Sequence, residues 1–183
     1  AYSYRSSICQ VLLMDITTKL SALHSLVQTT LQAQDANFKV YDRPRQLELD
    51  MKSRAQRTRI MGDPIRYCEV LHDSVQADAT PTTLLASGKQ IRTIQRFTIE
   101  MIVEYSDGAN LAASSYKTFL DFLHSESAST PGLVYKIRTT NTLTSGGEVV
   151  SLGNPDNVVT ELIPVDNQNK EFVHYALITV DVI

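Results

Sequence analysis

The sequence predicts an α+β fold: a mixed, mainly antiparallel β-sheet packed by a long N-terminal helix and a second, shorter helix. Three observations carry this expectation. Between Ile8 and Leu31, apolar residues recur every three or four positions, the spacing of one helix face. From Phe97, the side chains of Phe97, Ile99, Met101, Val103 and Tyr105 share one face of a strand, while Arg96, Thr98, Glu100 and Glu104 fall mainly on the other. From Glu171 to Ile183 the alternation returns with both faces largely apolar, which places that strand inside a sheet or at a covered edge. At 183 residues, 43% hydrophobic and 20% charged, the chain suits one globular domain, 1–183, with a sizeable core.

In order, the opening helix runs from about Ser7 to Gln34, with Ser6 or Ser7 placed to cap it. Its stripe is Ile8, Leu12, Ile16, Leu20, Leu23, Val27 and Leu31, broadened by Val11, Leu13 and Leu26. At 1.5 Å per residue it would be about 40 Å long, enough to lie across a small sheet. Packing on the domain's own sheet outweighs a coiled coil or a membrane-surface helix. Phe38 to Tyr41 reads as a short strand, Ile65 to His72 as another, and Asp73 to Thr83 as a polar connection. A strand from about Arg92 to Tyr105 ends at the turn residues Ser106-Asp107-Gly108. A helix capped by Asn110 follows, facing the core with Ala112, Tyr116, Phe119, Leu120 and Leu123. Thr130-Pro131-Gly132 then breaks the chain before Leu133 to Arg138, whose alternation predicts a strand. Val158 to Val165 and Glu171 to Ile183 pair as antiparallel neighbours across Asp166-Asn167-Gln168-Asn169.

Two segments interrupt this pattern. Between Arg43 and Arg66 stand seven basic residues against three acids, a basic insertion with a local excess of four positive charges; with a net charge of −3, the rest of the chain carries −7. Such a patch suits phosphate or an acidic protein face, with a solvated loop as the plain alternative. No aromatic residues interleave its arginines, which weakens the case for a single-stranded nucleic-acid groove. Residues 139–157 hold three glycines, a proline and many Ser, Thr and Asn, together with Leu143, Val149, Val150 and Leu152. They read as a projecting, hairpin-like arm.

No catalytic or metal-binding set emerges. His24, His72, His124 and His174 occur singly, without metal-ligand spacing. Ser87-Gly88-Lys89 lacks the upstream glycine and the following hydroxyl residue of a phosphate loop, and Ser145-Gly146-Gly147 lacks the nucleophile-elbow frame. Seven glycines are few for cofactor-cradling loops, so no cofactor is expected. Cys9 and Cys68 read as reduced, buried thiols. No apolar run approaches the roughly 18 residues of a membrane span, and no secretory signal pattern opens the sequence, which predicts a soluble protein made in a cytoplasm.

The element order resembles the tail terminator and head-to-tail joining proteins of long-tailed bacteriophages, including the minor tail protein U type. The likeness rests on the long opening helix, the strand Arg96-Phe97-Thr98-Ile99-Glu100-Met101-Ile102-Val103-Glu104-Tyr105, the helix through Tyr116-Lys117-Thr118-Phe119-Leu120-Asp121-Phe122-Leu123, and the closing strand His174-Tyr175-Ala176-Leu177-Ile178-Thr179-Val180. It covers about half the chain; the segment from Arg43 to Gln90 is longer than compact members of that group need. The resemblance implies a non-enzymatic virion subunit. It would form a ring, typically of six copies, that caps the tail tube and joins it to the head, with the tube protein and a head-completion or neck protein as partners. DNA passing through such a ring would be met at its phosphates without base readout. On that reading Val149, Val150 and Leu152 anchor an arm on the neighbouring subunit, and Arg54, Arg57 and Arg59 contact a subunit, the tube or DNA. Another neck or connector adaptor would share the same pattern. A nucleic-acid-binding module using residues 43–66 and an enzyme with a dispersed site are the readings from other classes.

Overall fold

The computed structural model describes residues 3–42, 65–77, 84–85, 88–89, 93–105, 111–145, 148–166 and 171–183, with side chains of the first helix described from Ile16. Leu23, Val27 and Leu31, four residues apart, are fully buried and form the inward stripe of helix α1 (Ser3–Gln34), the long opening helix that the periodicity predicts. The helix ends in a turn made by its next residue. The Asp35 amide still donates to the Leu31 carbonyl (2.9 Å), and the Asp35 carboxylate then accepts the Asn37 amide (2.9 Å). That turn swings Phe38 into the core, edge-on against Phe122, and leads into strand β1 (Lys39–Tyr41).

The strands that follow are β2 (Arg66–Ala77), β3 (Leu84–Leu85), β4 (Gly88–Lys89) and β5 (Thr93–Glu104). Helices α2 (Leu111–His124) and α3 (Leu133–Thr139) come next, then β6 (Thr142–Ser145), β7 (Glu148–Asp166) and β8 (Glu171–Val182). Six strands form one sheet in the order β1-β2-β5-β8-β7-β6, with β3 and β4 pairing separately. Among the described residues only β1 and β2 run parallel; every other neighbouring pair in the sheet is antiparallel. Strand β8, apolar on both faces, lies inside the sheet between β5 and β7, as its pattern requires.

The two faces of the sheet bury different residues. One face presents Cys68, Val70, Phe97, Ile99, Met101, Ile178 and Val180 to a core completed by α1, by Phe119, Phe122 and Leu123 of α2, and by Leu133, Val134 and Ile137 of α3. Cys68 is a free, buried thiol, and burial pushes its pKa upward. The alternate residues Ile65, Tyr67, Ile102 and Val173 form a second cluster on the opposite face.

Three expectations require correction. Residues 133–138 are helical rather than a strand. Leu133 and Ile137 are one helical turn apart and both buried, and the Lys136 amide bonds the Gly132 carbonyl (2.8 Å). A short apolar run satisfies either period, and here the i, i+4 pair prevails. Residues 73–77, expected in a polar connection, continue β2 past an irregularity between His72 and Ser74. Finally, 139–157 is no projecting arm: β6 pairs with the start of β7 in a hairpin whose Leu143, Val150 and Leu152 enter the main core. The close of this hairpin is anchored by reciprocal bonds between the backbones of Ser151 and Ile183 (2.9 and 3.0 Å).

Glycine is required at position 132, where α2 and α3 meet. A Cβ there would lie 2.4 Å from the Ser125 nitrogen and 2.5 Å from that of His124, both backbone atoms. The Gly132 amide uses this closeness to bond the Ser125 carbonyl at 2.7 Å. Among the described residues no helix is long and apolar enough to cross a membrane.

Candidate interaction surface

Strand β7 is far longer than its outer neighbour. The four residues of β6 pair with Glu148 to Ser151, and the Leu152 amide adds one more bond, to the Asn141 carbonyl (3.0 Å), so among the described residues 153–166 border β8 on one side and no strand on the other. An open edge of this kind presents backbone donors and acceptors to any strand that approaches. Pro155 and Pro164 lie within it beside register shifts, as expected where no neighbour needs their missing N–H.

Beside this edge, on the helix-bearing face, is an open hollow of about 310 Å³ lined by Tyr105, Tyr116, Phe119, Thr160, Glu161, Leu162 and His174. Helix α2 brings Tyr116 and Phe119 one turn apart, while the register of β7 on β8 sets Leu162 opposite His174. Phe119 points inward and is buried, whereas Tyr116 and Leu162 are each 49% exposed and form the rim. Tyr116, expected in the core, therefore lies at the margin of the α2 stripe.

His174 forms the floor. Its ring stacks on Phe119 at 4.9 Å and meets Tyr105 edge-on at 5.3 Å. Its Nε2 lies 3.0 Å from Ser115 Oγ, and that hydroxyl also reaches the Glu104 carbonyl at 3.2 Å. Burial lowers the imidazole pKa and favours the neutral ring. Among the described residues no carboxylate hydrogen-bonds His174, so the Ser115–His174 pair lacks the orienting acid of a catalytic triad and serves to seat the ring under α2. No group of three or more His, Cys, Asp or Glu residues among those described could hold a metal ion.

The residues expected at an interface fare differently. Val150 (7% exposed) and Leu152 (9%) are spent on the chain's own core and are not available as anchors, because alternation along β7 turns them toward α1 and α3; Val149, just before them, is 66% exposed. Arg54, Arg57 and Arg59 lie outside the described residues. Arg66 leaves the basic patch altogether. It bonds Asp35 at 3.2 Å, pairs with Glu104 and stacks its guanidinium over Phe122 at 5.3 Å, joining the end of α1 to β5 and α2. At the other end of β5, Arg96 holds Asp181 through two bonds (2.9 and 3.0 Å) and reaches Asp156 of β7 at 3.3 Å.

The opposite face of the sheet carries an acidic pair. Glu69 and Glu100 are directly opposed on β2 and β5, and Glu69 is buried. Burial, and then the charge of Glu100, raise the Glu69 carboxyl to about 7. Tyr175 on β8 is pushed up to about 12, first by burial and then by Glu100.

Sequence reasoning missed the hollow because its residues come from the residue that follows β5 and from α2, β7 and β8, and no local spacing links them. Compared with models of known protein families and with curated proteins, the sequence matches none.

Proposed function

We propose that this chain is a structural subunit of a bacteriophage virion, forming a ring that terminates the tail tube and joins it to the head or neck. The observation that carries the reading is the open outer edge of β7 with the half-exposed Tyr116 and Leu162 beside it. A sheet edge of this length flanked by apolar side chains suits coverage by another protein surface. A ring needs two different patches on each copy, one giving and one receiving, and the β7 edge suits the receiving one. The sequence resemblance supplies the rest of the reading: six copies, a virion location, and the tail tube and head-completion or neck proteins as partners.

The test is negative-stain electron microscopy of the purified chain across a concentration series, with sedimentation velocity alongside. Closed particles of uniform diameter with a central hole are the expected result. A monomer at every concentration, both alone and with a purified tail tube, would remove the ring reading.

A further inference from the structure

Building on the ring reading, we infer that the outer edge of β7 and its hollow receive the basic segment 43–64 of a second copy of this chain. The receiving surface has a definite charge. From Glu148 to Asp166 the sequence holds four acids, Glu148, Asp156, Glu161 and Asp166, and no lysine, arginine or histidine. Glu161 lines the hollow beside Leu162, and Asp156 is 67% exposed although it meets Arg96. Among the described residues the backbone groups of 153–166 have no outer strand partner, so the edge offers hydrogen bonds as well as negative potential.

The chain also contains the complement. With Arg66 committed to Asp35 and Glu104, the sequence from 43 to 64 retains six basic residues against three acids, with Arg54, Arg57 and Arg59 closely spaced. A basic patch and an acidic patch on the same chain pair each with the other's complement on a second copy; on the ring reading they do so head to tail, the arrangement that closes into rings. Opposite charges then fix direction and partner choice while the Tyr116 and Leu162 rim supplies apolar contact.

The test uses two variants of the full chain. D156K/E161K reverses the receiving edge, and R54E/R57E/R59E reverses the giving segment. Each alone should weaken self-association at least about tenfold in sedimentation velocity, while a 1:1 mixture restores it, since each reversed patch then faces its complement. Circular dichroism melts matching the parent chain establish that both variants fold. Should D156K/E161K fail to fold, the parent chain provides a second measurement: self-association should weaken about tenfold or more between 0.05 M and 1 M salt.

Rings formed by either variant as readily as by the parent would overturn this pairing while leaving the ring reading intact. So would two folded, monomeric variants whose mixture stays monomeric, or salt-independent assembly of the parent. Loss of duplex DNA binding by R54E/R57E/R59E with assembly unchanged would assign the segment to DNA instead. A parent chain that never assembles would overturn both readings.

Discussion

The helix-bearing face of the sheet and the face behind it are made by the same strands, one residue out of phase. The first takes Cys68, Val70, Phe97, Ile99, Met101 and Ile178, and three helices close over it. The second takes Tyr67, Ile102 and Val173, and among them sets Glu69 against Glu100. Burial therefore does different work on each side. The first face gains from every apolar atom it removes from water, whereas the second also holds a carboxyl that resists ionising.

The largest effects should come from breaking the first face. Ile178→Ala leaves a cavity in the middle of β8 and should cost about 3–4 kcal/mol in urea unfolding, against about 1 kcal/mol for its neighbour Leu177→Ala, which is half-buried on the other side. Gly132→Ala attacks the same face from the helix layer; its methyl meets backbone that cannot step aside, and a loss of about 2–3 kcal/mol in unfolding free energy is expected. Arg66→Ala strands Asp35 and Glu104, both partly exposed to water, so about 2 kcal/mol is expected in the same assay.

The second face is sharpened by pH. Glu69 keeps its proton in the folded chain up to about 7 but loses it near 4.5 when unfolded. The folded state therefore binds more protons between these values, so this group makes stability fall as pH rises from 4.5 to 7 and stay low above. Glu69→Gln should raise stability by about 1–3 kcal/mol at pH 8 and by almost nothing at pH 4, measured as unfolding free energies at both values. His174 on the first face has the opposite sign. Its lowered pKa costs stability as pH falls below about 6.5, a loss that Glu69→Gln leaves in place. The smallest effect contrasts adjacent residues of β7: Val149→Asp should stay within about 0.5 kcal/mol, whereas Val150→Asp buries a charge and belongs with the largest losses.

Long periodic elements were legible in the sequence. The stripe of α1, the alternation of β5, and the interior place of β8 all follow from spacing that only one secondary structure satisfies over so many residues. Short elements were legible only in part: Phe38 to Tyr41 reads as the strand that contains β1, whereas the segment after Gly132 does not read as a helix. Leu133 to Arg138 fits a strand by alternation and a helix by Leu133 and Ile137, and it took Gly132 packed against the end of α2 to decide. The hairpin character of 139–157 was legible, with Gly146-Gly147 between Ser145 and Glu148 as its sequence signal, but the surrounding Ser, Thr and Asn suggested projection into solvent and hid the entry of Leu143, Val150 and Leu152 into the core. The hollow was beyond reach because Tyr116 comes to His174 from α2 while Leu162 comes to it through the register of β7 on β8. Arg66 looked like one more arginine in a basic run until Asp35, Glu104 and Phe122 were found around it.

Strand β8 is the latest of the described strands in chain order, yet it occupies the middle of the sheet, bonded to β5 on one side and β7 on the other. A ribosome making this chain releases β5 well before β8, with β7 following late, only four residues ahead of the strand that joins the two. Until β8 emerges, each half of the sheet is an unfinished template with an exposed seam, and the growing polypeptide is at its most prone to pair with a neighbour on the same polysome. Completion of β8 closes both seams in one step, which makes its synthesis the event that separates a sticky intermediate from a closed sheet.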